Sequence, residues 1–220
     1  MSQASDYYRD LAARRLADPH RRWFVGKYAE LTSASFPPAY AGAGRRLGDA
    51  TVTLEPAEHD ALDERWLEPA GWPLRDVGRV AFVLKVVERL PNEEQPAFVQ
   101  QVFQRGDNAE REALLRALPM ISQPERFVET AADACRSHVQ TVFEAIACEN
   151  PFPARYFPDL NFNQLVLKAF FTEVAVRRIR GLDQRLTPEL TRMANDYASE
   201  RRAAGRTVPP DLEVVTLGQS

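Results

Sequence analysis

The sequence predicts an all-α protein, built as a short HEAT-like α-solenoid of antiparallel helix pairs. Apolar residues recur at helical spacing through most of the chain. Helix pairs begin near Leu74, Asp107 and His138, roughly 31 to 33 residues apart, and "VVERLP" recurs as "LLRALP". A repeat of helix pairs with a period in the thirties is typical of α-solenoids. An irregular helical bundle is the alternative, because short loops between amphipathic helices serve both architectures.

The N-terminal third shows two helical segments and then a break in the pattern. Residues 3–17 and 20–33 predict short helices, the second marked by aromatic residues at helical spacing. "FPPAYAGAGRRLGD" is rich in Pro, Gly and Ala, which predicts a mobile loop over residues 36–48. One further short helix is expected before Pro73, and Trp66 and Trp72 are expected to pack this section against the first helix pair.

From Pro73 onward the helical pattern is regular. Successive amphipathic segments are separated by Pro or Gly, and Thr187, Pro188 and Glu189 together mark the start of a final helix. We therefore expect three sections: N-terminal helices with a flexible loop packed on the body (1–72), a helical-repeat body (73–204) and an extended C-terminal tail (205–220). In that tail, Leu212, Val214 and Leu217 are expected to pack loosely on the body.

Composition excludes several classes of function. The chain has 220 residues, a net charge of -3 and 27% charged residues, so it offers no basic field for nucleic acid. No apolar run approaches the ~20 residues that span a bilayer, and the N-terminus has no apolar signal core. We expect a cytoplasmic protein that does not span the membrane.

The sequence contains no motif for catalysis, for a metal or for a cofactor. His20, His59 and His138 are far apart, and there is no phosphate-binding glycine loop and no hydrolase signature. Cys135 and Cys148 lie among apolar neighbours, which favours buried, unpaired thiols. We therefore expect no catalytic residues, no metal and no cofactor, and the interpretation leans away from an enzyme.

The most unusual segment is "ENPFPARYFPDLN", residues 149–161. Its three prolines fix the backbone and remove hydrogen-bond donors, which predicts a stiff, non-helical connection. Its three aromatic residues are too apolar to remain in solvent, so they are expected to fold back onto the body. A nearly all-apolar run containing Lys168 follows, and this helix is expected to be central.

Two interpretations of this segment stay open. One is a small-molecule pocket with polar groups on its floor and aromatic groups on its walls; its candidate residues are Glu149, Asn150, Phe152, Tyr156, Phe157, Asn161, Gln164 and Lys168. The other is structural: Glu149 and Lys168 form an ion pair, Asn150 caps a helix end, and Asp159 or Asn161 caps the next helix.

A second candidate is an anion- or partner-binding patch. "VRRIRGLDQR" gathers four arginines around one turn: Arg177, Arg178, Arg180 and Arg185. Guanidinium groups bind phosphate and carboxylate through paired hydrogen bonds. The alternative is that these residues pair within the chain, with Glu173, Asp183 or Glu189 as partners.

Two long runs resemble the EboA-domain family. They are "ENPFPARYFPDLNFNQLVLKAFF" and "RIRGLDQRLTPELTRMANDYASERRAAGR", with further similarity at "LRDVGRVAFVLKVVERLP" and "NAEREALLRALPMI". The resemblance implies a bacterial HEAT-like helical protein encoded in a secondary-metabolite gene cluster beside a membrane prenyltransferase and several enzyme-like proteins. It assigns no catalytic residue.

The resemblance also implies a role and partners. We expect a non-catalytic scaffold or adaptor in metabolite biosynthesis or precursor trafficking, which binds other proteins of the same cluster, such as the membrane prenyltransferase, or a metabolite precursor. Such partners would hold a cytoplasmic protein at the periphery of the inner membrane. The alternative is an enzyme of undescribed type, in which Lys168 acts at the pocket.

Overall fold

The computed structural model describes residues 3–64 and 66–216, and its secondary structure is helical. Within those residues it contains thirteen α-helices and four short 3-10 helices, and no named strand, so the all-α prediction is confirmed. The chain forms two compact units, residues 1–130 (unit 1) and 131–220 (unit 2). This division differs from the expected boundary at residue 72. The repeat geometry of a solenoid stays a prediction.

Unit 1 contains seven α-helices and the beginning of an eighth. Their bounds are α1 (Ala4–Arg15), α2 (His20–Ala29), α3 (Phe36–Leu47), α4 (Pro56–Asp60), α5 (Leu74–Val87), α6 (Gln95–Arg105), α7 (Asn108–Ala117) and α8 (Val128–Cys135). Two 3-10 helices, Leu118–Met120 and Pro124–Phe127, lie between α7 and α8.

Helix α5 is the centre of unit 1. It packs against α1, α2, α3 and α7, and it is buried on nearly every side. Even Asp76 and Arg79 are only 1% and 3% exposed. Gly78 allows close approach, because a side-chain carbon there would collide with Leu47 on α3 and press on Phe24 of α2. The N-terminal helices therefore share one core with α5, which explains why the unit extends well beyond residue 72.

The expected mobile loop at residues 36–48 is wrong. This segment is helix α3, whose prolines lie in the first turn, where a missing N–H costs no hydrogen bond. Phe36, Tyr40, Ala43 and Leu47 recur every three or four residues, and all are buried. The Gly and Ala content marks close helix packing here and not mobility.

Unit 2 contains the end of α8 and five further α-helices. Their bounds are α9 (Gln140–Ala147), α10 (Phe152–Tyr156), α11 (Asp159–Phe171), α12 (Pro188–Ala203) and α13 (Leu212–Thr216), with 3-10 helices at Val176–Arg178 and Asp183–Arg185. The predicted start of α12 is confirmed: the Thr187 side chain accepts a hydrogen bond from the Leu190 amide at 3.1 Å.

Three expectations for unit 2 differ from the structure. The stiff connection at residues 149–161 is not wholly non-helical, because α10 forms inside it with Pro153 in its first turn. Helix α11 is not buried all round, since Leu160 and Phe171 are 64% and 63% exposed. The tail is not wholly extended, because Leu212 lies buried in α13. Leu217 lies outside the described residues.

A buried acid in unit 1 yields a pH-dependent prediction. Glu58 is 6% exposed and accepts hydrogen bonds from Arg15, which hold its pKa below the ordinary value of 4.5. An acid with a lowered folded pKa contributes stability above its unfolded pKa and loses it as the pH falls through the folded value. We expect Glu58→Gln to cost about 1–2 kcal/mol at pH 7. In urea titrations, this cost should shrink below pH 4.5; a cost that stays constant would contradict the assignment.

Candidate functional site

Lys168 is bound to backbone carbonyl groups at the end of α8. Its ammonium donates hydrogen bonds to the carbonyl oxygens of Cys135 and Ser137, at 2.6 and 2.5 Å. It also lies 4.8 Å from the centre of the Phe143 ring. The last carbonyls of a helix lack partners within the helix and carry partial negative charge. Lys168 therefore ties α11 to the C-terminal end of α8.

Burial and hydrogen bonding have opposite effects on the charged form of Lys168. Burial lowers the pKa of the Lys168 ammonium, whereas the two carbonyl hydrogen bonds favour its charged form. Burial also raises the pKa of the neighbouring Cys135 thiol to about 12, so at neutral pH this group is a neutral thiol. Lys168 is consequently a cation bound by neutral dipoles.

Glu149 pairs with Arg178, so the expected ion pair between Glu149 and Lys168 is not formed. Arg178 donates to both oxygens of Glu149, at 2.8 and 3.0 Å, and to Glu144 at 2.5 Å. Burial alone would raise the pKa of Glu144, but its hydrogen bonds from Arg178 and Gln140 outweigh burial, and the pKa is lowered. The Glu149 amide also donates to the Arg178 carbonyl oxygen at 2.8 Å. This arrangement fixes the 3-10 turn at Arg178 against the end of α9.

Asn150 has the capping role that the sequence suggested. Its side-chain amide donates to the Ala145 carbonyl at 3.0 Å, and its side-chain oxygen accepts from the Phe152 amide at 3.0 Å. One buried residue thus serves the end of α9 and the start of α10. Neither Asp159 nor Asn161 is the N-cap of α11, because Pro158 occupies that position.

The other candidate pocket residues are divided between core and surface. Phe152 and Phe157 are buried with their ring centres 6.0 Å apart, and Tyr156 is half-buried 5.1 Å from Phe152. Asn161 is half-buried and Gln164 is exposed. A ligand site formed by this set stays a prediction, and the observed contacts give Asn150, Lys168 and the two buried rings structural roles.

The four arginines of the predicted patch have different environments. Arg185 donates to the carbonyls of Ala154 and Phe157 and to Asp159, at 2.7 to 2.9 Å. Arg177 lies 3.5 Å from Asp211, and Arg178 binds its two glutamates. Arg180 is exposed. Three of the four pair within the chain, but their partners are not the ones expected from the sequence. Anion or partner binding at this patch stays a prediction.

The exposed part of this network should contribute little to stability. Glu149 and Arg178 are 65% and 42% exposed, and ion pairs at that exposure contribute about 0–1 kcal/mol. We expect Glu149→Gln to lower the free energy of unfolding by less than ~1 kcal/mol, as measured by urea titration. A loss of several kcal/mol would mean that Glu149 does more than hold Arg178.

A concave site lies in unit 1, between α3 and α6. It is a cavity of about 470 Å³, which we call the aromatic cleft; its lining residues are Ser33, Ala34, Phe36, Pro37, Tyr40, Ala41, Phe98, Gln101, Val102, Arg105, Gly106 and Glu110. The Phe36 ring stacks on Tyr40 with centres 4.7 Å apart and meets the Phe98 ring edge to face at 5.1 Å. Concave, mainly apolar sites with a few polar groups are typical of small-molecule binding.

Tyr40, at the floor of the aromatic cleft, is held by contacts with Glu110 and Arg79. The Tyr40 hydroxyl donates to the Glu110 carbonyl oxygen, and burial raises the pKa of Tyr40, so this phenol remains a neutral donor. The Arg79 guanidinium carbon lies 5.5 Å from the centre of the Tyr40 ring, and its Nε donates to the Tyr40 carbonyl. These contacts hold Tyr40 in position at the floor of the cleft.

A second cavity, of about 400 Å³, lies within unit 2. Phe170, Val174, Pro209 and Pro210 are among its apolar lining residues, and Glu173, Arg201 and Asp211 are its charged ones. Two of those charges are already engaged: Arg201 donates to the Thr207 carbonyl at 2.8 Å, and Asp211 lies 3.5 Å from Arg177.

The sequence contained a signal for the aromatic cleft that was misread. Phe36 and Tyr40 are four residues apart, as are Phe98 and Val102, and such pairs share a helix face. The first pair lies in the segment expected to be a loop, and the second lies on α6. Recognising α3 as a helix would have brought out the first pair.

Two further features bear on function: side-chain clusters that could bind a metal ion, and helices that could span a membrane. Within residues 3–64 and 66–216, no group of three or more His, Cys, Asp or Glu side chains is arranged to hold a metal ion. In the same part of the chain, no helix combines the length and the apolar character needed to span a bilayer.

Fold and cleft together define an all-α protein with an aromatic-lined cavity. The sequence model of a family described as "Metabolite traffic protein EboA" matches residues 5–216, nearly the entire chain. The protein belongs to the EboA family. Comparison with curated proteins and with solved structures gives no match.

Proposed function

We propose that this protein is a non-catalytic carrier and adaptor in metabolite trafficking, which holds a metabolite or its precursor in the aromatic cleft and delivers it to a partner protein. The observation that supports the proposal most is the cleft itself, with three aromatic residues, Phe36, Tyr40 and Phe98, around a cavity of about 470 Å³. The description of the family as metabolite traffic proteins agrees with this role.

The contacts of Lys168 favour a carrier over an enzyme. A catalytic lysine needs a free, neutral amine, and here the group donates hydrogen bonds to two carbonyl oxygens. Those hydrogen bonds favour the charged ammonium. Lys168 is therefore better suited to hold α8 and α11 together than to attack a substrate.

The partners proposed for the carrier follow from its family. We propose that it works in the cytoplasm of a bacterium, and that other proteins of the same gene cluster, such as a membrane prenyltransferase, hold it at the inner membrane. The delivered molecule would pass from the aromatic cleft to such a partner.

The proposal is tested by closing the cleft in the native host. Ala41 lines the cavity on α3, so Ala41→Trp should fill part of it, whereas Ala29→Trp on the exposed end of α2 should not. We expect the Ala41→Trp strain to lose most of its output of the cluster's metabolite and the Ala29→Trp strain to keep it, with both proteins present at equal levels. Normal output from a folded Ala41→Trp variant would refute the carrier role.

A further inference from the structure

The charges that face the aromatic cleft point to a ligand class. Building on the proposed function, we propose that the cleft selects small molecules in which an anionic group, a carboxylate or a phosphate, is joined to an apolar or aromatic body. Arg105 would bind the anionic group, and the rings of Phe36 and Phe98 would contact the body.

Arg105 is suited to an external anion because its partner within the chain is neutral. It lies in the last turn of α6 and is exposed. With the Gln101 amide oriented so that its oxygen faces Arg105, that oxygen accepts from Nη1 and Nη2 at 2.9 and 3.1 Å. A guanidinium has five N–H donors, so three remain for a ligand. No carboxylate among the described residues lies within ion-pair distance of Arg105.

Glu110, the acid that lines the cleft, is already engaged. One of its carboxylate oxygens accepts from the Asp107 amide at 3.0 Å, which completes the cap of α7. The other lies 3.7 Å from Nη2 of the buried Arg79. Because Arg79 offsets this negative charge from behind, we expect the exposed Arg105 guanidinium to favour an anion in the cleft. A cationic ligand is therefore disfavoured despite the aromatic walls.

The cavity also limits the size and polarity of the body. Ligand sites of 300–1,000 Å³ enclose most of a drug-sized molecule, so about 470 Å³ admits a bicyclic or short-chain apolar group with one head group. Apolar contact with the rings supplies most of the affinity, and the guanidinium supplies the preference for an anion.

Three probes of one shape separate these contributions: 2-naphthoate, 2-naphthalenemethanol and the 2-naphthylmethylammonium ion. Each is titrated into the full-length protein at low ionic strength, and binding is followed by amide chemical shifts of the cleft residues. We expect 2-naphthoate to bind about tenfold more tightly than the alcohol, and the ammonium ion to bind most weakly. Added salt should reduce the preference for 2-naphthoate.

The matched variants are Arg105→Gln and Arg45→Gln, which remove one exposed positive charge each from unit 1. In Arg105→Gln, the affinity for 2-naphthoate should fall to within about twofold of the affinity for 2-naphthalenemethanol, which should itself be unchanged. Arg45→Gln should keep the preference for 2-naphthoate. Equal affinity for all three probes, tightest binding of the ammonium ion, or a preference that survives in Arg105→Gln would overturn the proposal. In those cases the carrier role would stand if the alcohol binds and Ala41→Trp blocks it; if no probe shifts the cleft residues, both proposals fail.

Discussion

Asp76→Ala should lower the free energy of unfolding of unit 1 by about 3–5 kcal/mol, because it removes a buried acid that pairs with Arg116 and lies close to Arg75. The Asp76 carboxylate is 1% exposed and pairs with Arg116, and Arg75 lies 3.6 Å away. Burial raises the pKa of Asp76, and Arg116, Arg75 and Arg79 oppose that shift. The arginines thus offset part of the free-energy cost of burying the Asp76 carboxylate. Without this carboxylate, their own positive charges lose a partner.

The network around Asp76 is only partly hydrogen-bonded. Among the described residues, Oδ1 of Asp76, Nη1 of Arg79 and Nε of Arg75 are buried without a hydrogen-bond partner. The substitution would therefore leave positive charge beneath Tyr40, the floor of the aromatic cleft. We expect reduced probe binding to accompany the loss of stability.

The measurement for Asp76→Ala is urea unfolding followed by tryptophan fluorescence. All three tryptophans, Trp23, Trp66 and Trp72, lie in unit 1, so this signal reports on that unit. The matched control is Asp49→Ala, since Asp49 also pairs with Arg75 but is 72% exposed. The control should cost less than ~1 kcal/mol. Equal effects of the two substitutions would contradict the assignment of a buried network.

The second large effect is expected at Lys168. Lys168→Met keeps an unbranched side chain but leaves the carbonyls of Cys135 and Ser137 without their charged donor. Hydrogen bonds to charged groups contribute about 1.5–3 kcal/mol, so we expect a loss of about 2–3 kcal/mol in the stability of unit 2. The end of α8 and the facing part of α11 should become locally less stable.

Amide hydrogen exchange can localise the effect of Lys168→Met. Protection should fall around Cys135 and along α11, while the exposed control Lys27→Met should leave protection unchanged. Binding of 2-naphthalenemethanol should persist, because Lys168 does not line the aromatic cleft. Unchanged protection would contradict the helix-end role of Lys168, and loss of probe binding would argue for a ligand role instead.

The sequence predicted helix positions well because local patterns determine them. Caps and first-turn prolines, as at Thr187 and Pro188, depend on residues only a few positions apart. The prediction for residues 36–48 is wrong because Pro, Gly and Ala content favours a loop, whereas the three-to-four spacing of Phe36, Tyr40, Ala43 and Leu47 is that of a helix.

Partners across the fold were much harder to predict. The structural interpretation of the sequence pairs Lys168 with Glu149, at the end of the preceding antiparallel helix, yet its acceptors are carbonyls more than thirty positions away. Likewise, α5 looked amphipathic, and its charged residues Asp76 and Arg79 would ordinarily mark a solvent face. They are buried because other charged residues reach them from α7, as Arg116 does. Only three-dimensional packing reveals such partners.

The central claim is that the aromatic cleft carries a small molecule, and native mass spectrometry of the protein purified from its own host tests it most directly. The account predicts a bound species of defined mass on the wild-type protein and on Ala29→Trp, and its absence from folded Ala41→Trp. A wild-type protein that carries no small molecule, or an Ala41→Trp variant that carries the same one, would contradict the claim.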